Sequence, residues 1–443
     1  MIPFEIILIC TAIGILGVII AMVCSLIPGL HIYSILGFVV LYLLNFESID
    51  PLVFASFTTS MLIGYCLGSC ISAVYFQTPD DSSVFMVFPS QKYLQDGRGY
   101  EAVFLTGLGA VVGAVMACLL IIFGSEFLTL LVDLLVEHSL WIIATAMAFV
   151  WLSEWPKDPA RQKTRIGKLA AAWVQLLMGL FVIIASGILG IYLFFSQLIP
   201  PERSFQGLAA AFVGLFAIPS IIQNLFSAKK DIPKQYLGKT IEGNTSELIQ
   251  GVAGGVIGGS IGMLIPSLTA GVGNTFARHA VAQSGDRSFM FSQGLSRAIY
   301  YVGAVMLLFI PGVIIRRGGA ALFITMFYVP NTYSELIIIA STVLISTAVG
   351  WFIFTLIAKG ITKSIHRINT RYVSLFGLIV MLILTYYMLG ISGIFILIVA
   401  TAIGYIPLVF NTRRIHCISV ITIPIMISMA GLTLVVSQLF GIA

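Results

Sequence analysis

Apolar stretches of about 20 residues, the length that crosses a bilayer as a helix, recur along the whole of this chain. Only 9% of the 443 residues are charged, and the mean hydropathy is +1.06, whereas a soluble domain carries roughly 25% charged residues. The candidate segments are 4–24, 52–75, 102–123, 126–152, 169–195, 207–226, 248–266, 292–313, 334–358, 373–390, 391–410 and 415–440. The sequence therefore predicts an all-α polytopic membrane protein, surrounded by membrane lipids, with roughly 10–12 transmembrane segments.

Two proline-containing phrases interrupt the apolar segments at corresponding places. Residues 25–30 spell SLIPGL and residues 263–268 spell MLIPSL, so Pro28 and Pro266 are 238 positions apart (266 − 28). Proline breaks or kinks a helix and frees backbone groups, which a membrane tolerates only inside the protein or beside a cavity. Paired breaks in two halves mark the binding site of many transporters. We therefore expect two related repeats with broken helices, inverted relative to each other in the membrane. The two repeats should meet at these breaks.

A polar linker at 227–247 divides the chain into a first transmembrane repeat, 1–226, and a second transmembrane repeat, 248–443. Each half contains a second proline break, FQTPDDSS at 76–83 and LFIPGVIIRRGG at 308–319. The phrases keep the same order in both halves, which favours an internal duplication over chance.

Basic residues collect in three loops between apolar segments, at 154–168, 229–242 and 359–371. By the positive-inside rule these loops face the cytoplasm, and we expect a multi-pass protein of the cell membrane. Because the basic residues are divided among these loops and form no compact basic domain, the sequence gives no indication of nucleic-acid binding. The N-terminus lacks a basic n-region, and we expect it to form the first membrane helix rather than a cleaved signal peptide.

Small and hydroxyl-bearing residues follow each of the two paired breaks. A new helix N-terminus at such a place offers free backbone N–H groups and the positive end of the helix dipole, which together bind anions. A kink that serves packing alone is the alternative. The candidate substrate-binding residues are Pro28, Gly29, Leu30, His31 and Ser34 in the first half and Pro266, Ser267, Thr269, Gly271 and Asn274 in the second.

Ionisable residues follow the second break of each half. These are Asp80 and Asp81 in the first half and Arg316 and Arg317 in the second. Charged groups at membrane depth are costly and functional by default, whereas at an aqueous edge they are ordinary loop charges, and the sequence leaves both possibilities open. We take the two arginines as further substrate-binding candidates, and the two aspartates with His31 as candidates for ion coupling.

Two common sequence motifs of enzymes are absent from the chain. It contains no GxxxxGK[ST] and no HExxH, and its five histidines lack metal-ligand spacing. We therefore expect no enzyme, no metal centre and no cofactor, with Na⁺ or H⁺ as a possible coupling ion. Downstream of the second paired break, Arg278 and Arg297 are suited to pair with a carboxylate or a phosphate.

The order IPGL, then a second proline break, then DGRGYEA at 96–102, resembles the large permease subunit of the tripartite tricarboxylate transporters, the TctA family. PGLHIY at 28–33 and GISGIFILIVATAIGYIP at 390–407 are similar to its stand-alone archaeal-type branch. Tyr33 stands where an Asn is usual, and Ser267 replaces the glycine of the second PG. The resemblance covers nearly the whole chain. It implies a two-repeat permease for an ion-coupled anionic substrate, assisted in the tripartite systems by a small membrane subunit and a periplasmic binding protein.

Two functions fit these observations. The first is a secondary transporter (permease) of small anions of the di- or tricarboxylate type, driven by an ion gradient. The second is a translocase (flippase) for an anionic lipid such as a polyprenyl phosphate. A tricarboxylate requires several convergent cations, and the scarcity of basic residues within the apolar segments keeps the lipid alternative open. Paired broken helices argue against a purely structural scaffold.

Overall fold

The computed structural model of the chain is built from helices. It describes residues 3–43, 50–155, 164–227, 232–238, 244–311, 313, 318–330 and 332–442. Among these described residues no strand occurs. Within the same residues, eight helices are long and apolar enough to cross a membrane, or nine if the bent pair at the C-terminal end is one span. The predicted all-α polytopic membrane fold is therefore confirmed.

Both halves of the chain contain long helices and short ones. The first half forms α1 (Phe4–Ser25), α2 (Ile32–Leu43), α3 (Pro51–Tyr75), α4 (Val87–Gln95), α5 (Gly99–Leu152), α6 (Arg165–Phe195), α7 (Ser204–Phe212) and α8 (Ile218–Phe226). The second half forms α9 (Thr245–Leu264), α10 (Ala270–Ala280), α11 (Asp286–Ala298), α12 (Ala304–Met306), α13 (Gly318–Phe327), α14 (Tyr333–Ser364), α15 (Thr370–Phe410), α16 (Ser419–Met429) and α17 (Thr433–Leu439). Single π-helical turns at Val213–Ala217 and Ile299–Gly303 join α7 to α8 and α11 to α12.

Each predicted paired break separates a long helix from a short one. Residues 26–31 lie between α1 and α2, and residues 265–269 lie between α9 and α10. The two short helices begin 238 positions apart (270 − 32), which is also the offset of the two prolines. Gly29 and Ser267, directly after the prolines, have φ of 83° and 60°, a region that is open to glycine and strained for serine. The breaks are confirmed, while the superposition and inverted relation of the halves 1–226 and 248–443 stay predictions.

Two helices are too long for a single crossing. With 54 and 41 residues, α5 and α15 would extend about 80 and 60 Å if straight, against roughly 30 Å of hydrocarbon. Gln95 and Ser153, which lie beside the two ends of α5, line one cavity. Arg371 and Asn411, at the two ends of α15, line the same cavity. Because both ends of each helix reach this cavity, each helix turns back on itself. Gly390, with φ 65° and ψ −147°, interrupts the helical conformation of α15. Each helix thus contains two predicted segments, which explains why the number of helices is below 10–12.

Glycines bring the backbones of neighbouring helices into direct contact. A Cβ on Gly64 of α3 would overlap the Val18 carbonyl oxygen of α1, and a Cβ on Gly294 of α11 would overlap the Thr106 carbonyl oxygen of α5. Lipid supplies no hydrophobic drive between helices, so association in a membrane depends on such close packing. These contacts hold the helices that carry the candidate site.

The three basic loops border one face of the molecule, termed here the linker face. Glu154, Ile232 and Arg371, one from each loop, line a common cavity. The Arg371 guanidinium also donates a hydrogen bond to the carbonyl oxygen of Ser227. The basic loop residues outside the described part of the chain are Lys157, Arg161, Lys163, Lys229, Lys230 and Lys239. A common face agrees with the positive-inside argument, and its assignment to the cytoplasm stays a prediction.

Candidate functional site

The segment 76–83 connects α3 to α4 through the interior of the protein. Gln77 has a φ of 54°, and Pro79 follows it, so the chain cannot continue as a helix. Asp80 and Asp81 are only 9% and 3% exposed. They are therefore buried ionisable groups rather than loop charges at an aqueous edge, and they are functional candidates for that reason.

Hydrogen bonds on both carboxylate oxygens hold Asp80 in place. Its Oδ1 accepts from the backbone N–H and hydroxyl of Ser82 (3.1 and 2.7 Å) and from those of Ser83 (2.8 and 2.6 Å). Its Oδ2 accepts from the Tyr65 hydroxyl at 2.7 Å and from Arg297 Nη2 at 2.9 Å. A carboxylate surrounded by so many donors is stabilised as an anion, which makes Asp80 a fixed charge.

Arg297 of α11 ties the second half of the chain to this segment. Its guanidinium is fully buried, and besides Asp80 it donates to the hydroxyls of Ser82 (Nε, 2.8 Å) and Ser69 (Nη2, 2.9 Å). A buried charge is tolerated when it is paired and hydrogen-bonded. The π-helical turn Ile299–Gly303 begins two residues later, and such turns occur frequently at functional sites.

His31, in the first paired break, contacts the second aspartate. Its Nε2 lies 3.0 Å from Asp81 Oδ1, and its Nδ1 accepts the backbone N–H of Tyr33 at 3.2 Å. Because Nδ1 is an acceptor, the ring proton lies on Nε2 and is donated to Asp81. The ring stacks on Phe212 with centroids 5.2 Å apart, which fixes its plane. In this geometry His31 is a neutral donor.

A small cavity, termed the inner cavity, lies beside these groups. Its volume is about 20 Å³, and its polar lining residues are His31, Tyr65, Ser69, Ser72, Thr78, Asp80 and Ser83. The Thr78 hydroxyl is buried and has no hydrogen-bond partner among the described residues. The volume suffices for one water or one small ion and is too small for an organic anion.

A second cavity, the linker-face cavity, has a volume of about 690 Å³. Arg371, Arg413 and Arg414 line it, together with Glu154 and several glutamine side chains. Glu154 Oε1 accepts the Arg413 backbone N–H at 2.8 Å and contacts His416 Nε2 at 2.9 Å. The cavity therefore concentrates guanidinium groups, which bind carboxylates and phosphates in a bidentate geometry.

The segment 76–83 separates the two cavities. Gln77 lines the linker-face cavity, and Thr78, Pro79 and Asp80 line the inner cavity. A displacement of this segment would join the two spaces. Asp80 thus lies at the boundary between a wide cationic space and an ion-sized space.

The first paired break contributes directly to the inner cavity, as the sequence predicts for a site at a broken helix. Gly29, Leu30 and His31 line it, and Pro28 packs against α15. Ser34 is buried in the first turn of α2, where its N–H donates to the His31 carbonyl oxygen at 2.9 Å. Whether these residues bind an anion through their N–H groups stays a prediction.

The second paired break approaches the same aspartate from the other half. Thr269 donates its hydroxyl to the Asp81 carbonyl oxygen at 3.4 Å, and a Cβ on Gly271 would lie 2.9 Å from that oxygen. Pro266 and Ser267 precede them, and the buried Ser267 hydroxyl has no hydrogen-bond partner in the part of the chain that the structure describes. Both breaks therefore converge on Asp81.

Among the described residues, the predicted Asn274 stands apart from this convergence. Asn274 donates to the hydroxyl of Ser296 and accepts from that of Ser292 at 3.3 Å, so it joins α10 to α11. Arg316 and Arg317 lie outside the described residues, and their part in binding stays a prediction.

Sequence reasoning did not identify several residues of the site. Tyr65, Ser69 and Ser72 lie on one side of α3 at helical spacing, and this polar stripe in an apolar helix was an available signal. Arg297, by contrast, was singled out from the sequence for pairing with a carboxylate or a phosphate, and the carboxylate that it pairs with is Asp80. The convergence of Arg371, Arg413 and Arg414 had no local signal because it depends on the packing of α15 against its neighbours.

We expect Gly29→Leu and Gly271→Leu to abolish transport while the protein still reaches the membrane. At Gly29 the φ of 83° strains any side chain, and a Cβ would lie 2.7 Å from the Ala217 methyl group; at Gly271 it would press on the Asp81 carbonyl. Uptake into vesicles, normalised to the amount of monodisperse protein, measures the effect. Gly360→Leu is the control, since no atom of the described residues lies within 4 Å of a Cβ there. Unchanged uptake by the first two variants would refute their assignment to the site.

The fold and the site together define a class: a polytopic α-helical membrane transport protein with broken helices around buried ionisable groups. The chain belongs to the tripartite tricarboxylate transporter TctA family, whose family model matches residues 12–419. It is also 26% identical over 420 residues to an uncharacterized protein of Methanocaldococcus jannaschii, a match that covers 93% of this chain and 96% of the relative. Solved structures give no match. The predicted family is thus confirmed, and the archaeal-type branch stays a prediction.

Proposed function

We propose that the protein is a secondary transporter of small di- or tricarboxylates in the cell membrane, driven by an ion gradient. The observation that supports this most strongly is the linker-face cavity, where Arg371, Arg413 and Arg414 line a volume of about 690 Å³. Small-molecule sites commonly have volumes of about 300–1,000 Å³. The sequence alone suggested too few cations for a tricarboxylate, and the fold brings three of them to one space.

The charge of this cavity supports an organic anion as its ligand. Glu154 offsets one of the three guanidinium groups, and it already bonds the backbone of Arg413 and the ring of His416. The cavity thus keeps a net positive lining. A carboxylate gains charge-assisted hydrogen bonds there, which are worth about 1.5–3 kcal/mol each.

Transport also requires an energy source and a route. The sequence lacks a nucleotide-binding P-loop, so an ion gradient is the simplest source. The route proposed here runs from the linker-face cavity past the segment 76–83 to the paired breaks. A small membrane subunit and a binding protein, as the tripartite name of the family implies, would assist delivery.

We expect Arg371→Gln to weaken citrate binding by roughly tenfold or more, since one charge-assisted bond is lost. Isothermal titration of the purified protein with citrate and succinate measures the affinity, and uptake into vesicles without ATP tests the gradient. Lys359→Gln is the control, because it removes a positive charge outside this cavity.

Two results would overturn the proposal. One is equal citrate affinity in Arg371→Gln and the unmodified protein. The other is binding of a short-chain polyprenyl phosphate with no citrate binding, which would favour the lipid translocase. Since a fold does not define a substrate, the second result would leave the family membership intact.

A further inference from the structure

The buried groups around Asp81 have unequal numbers of positive and negative charges. Among the described residues in mutual contact here, Asp80 and Asp81 supply two carboxylates and Arg297 supplies one guanidinium. Ligand atoms of His31, Asp80 and Asp81 all lie within 4.8 Å of one another. A net charge of −1 in a low-dielectric interior is expensive unless a further positive charge is present.

His31 does not supply that charge. Its Nδ1 accepts the Tyr33 backbone N–H at 3.2 Å, so a proton on Nδ1 would face another proton. Its Nε2–H is donated to Asp81. The ring is therefore neutral, and among the described residues in contact here the charge of Asp81 has no positive partner.

The inner cavity has the size and the lining for a positive partner. It holds about 20 Å³ beside His31 and Asp80, which is enough for one unhydrated small ion. Hydroxyl and carboxylate oxygens dominate its polar lining, and oxygen is the ligand that hard cations prefer. The Thr78 hydroxyl is only 5% exposed, and no described residue bonds to it, so it is a free ligand within the described structure.

We propose that the inner cavity binds one Na⁺, which balances the charge of Asp81 and takes the Thr78 hydroxyl as a ligand. The inference deepens the proposed function, on which it rests for its role, by assigning the coupling ion and its site. It also assigns different roles to the two aspartates. Asp80 is a fixed charge neutralised by Arg297, and Asp81 is the charge that requires the exchangeable cation.

Binding of this ion is coupled to the position of the segment 76–83. The segment supplies Thr78 and Asp80 to the cavity and carries Asp81, so Na⁺ is bound fully only while the segment is seated against His31. A ligand favours the conformation to which it binds more tightly. Loss of Na⁺ would therefore allow the segment 76–83, which separates the two cavities, to move away from His31.

The test uses the full-length protein in detergent with Na⁺ as the probe and no organic anion. Thermal unfolding and isothermal titration are followed as NaCl replaces choline chloride or KCl at constant ionic strength. We expect saturable stabilisation by Na⁺, lost in Asp81→Asn and weakened by roughly tenfold or more in Thr78→Val, which removes one ligand. Thr342→Val is the matched control. It deletes another buried hydroxyl that has no partner among the residues described, at a site against Gly14 of α1, and we expect an unchanged response to Na⁺.

Several outcomes would overturn the Na⁺ site. They are equal stability in the three salts, an unchanged Na⁺ response in both Asp81→Asn and Thr78→Val, and a response to pH with none to Na⁺, which would make a proton the missing charge. Because no carboxylate is present, failure here is separate from failure of citrate binding. Na⁺ binding without citrate binding would overturn the proposed substrate alone.

Discussion

We expect Arg297→Gln to lower the free energy of unfolding by about 3–5 kcal/mol, the usual cost of removing one partner of a buried ion pair, and to abolish transport. The substitution leaves Asp80 as a buried anion with its charge uncompensated. It also removes the donors to Ser82 and Ser69. Since Arg297 joins α11 to the segment 76–83, the contact between the two halves of the chain should weaken as a whole.

Thermal unfolding in detergent, followed by loss of the monodisperse peak in size-exclusion chromatography, measures this effect. The matched control is Arg287→Gln on the same helix. Arg287 pairs with Glu101 at 2.8 Å but is one-third exposed, and a surface pair contributes about 0–1 kcal/mol. Equal unfolding temperatures for the two variants would show that the buried pair does not stabilise the fold.

We expect Gly294→Ala to destabilise the protein by about 3 kcal/mol, at the upper end for overpacking. The added Cβ would overlap the Thr106 carbonyl oxygen, and backbone atoms cannot move aside as a side chain can. α11 would have to withdraw from α5, which would also shift Arg297 away from Asp80. Both stability and transport should therefore fall.

Gly360→Ala of α14 is the control for this substitution. A Cβ there meets no described atom within 4 Å, and alanine in a helix is about 0.5–1 kcal/mol more favourable than glycine. The control should therefore unfold at the same or a higher temperature. If Gly294→Ala were as stable as this control, the close packing of α5 and α11 would not contribute to the fold.

The helices and their breaks were predictable because they depend on adjacent residues. Apolar runs locate the helices, and Pro28 and Pro266 locate the breaks, since a proline removes a backbone donor wherever it stands. The number of helices was not predictable in the same way. Whether the second half of α5 continues from the first or begins a new helix depends on a few backbone angles that no proline fixes.

Part of the candidate site was also predictable. His31, Asp80 and Asp81 were identified because charged and polar groups near proline breaks are costly in a membrane. The different roles of these residues were not predictable. They depend on the hydrogen bond from the Tyr33 backbone N–H to His31 and on the hydrogen bond from the Arg297 guanidinium to Asp80.

The sequence by itself therefore determined that the chain is an all-α membrane protein of the TctA family with breaks at Pro28 and Pro266. These features could be predicted because an apolar run sets one membrane span and a proline disrupts one helical turn, so each depends only on adjacent residues. Only the tertiary structure decided which charges meet. Arg297 and Asp80 are 217 positions apart, and the arginines of the linker-face cavity come from both ends of α15. Pairing over such separations depends on how the helices pack, and packing depends on the shapes of all the surfaces in contact at once.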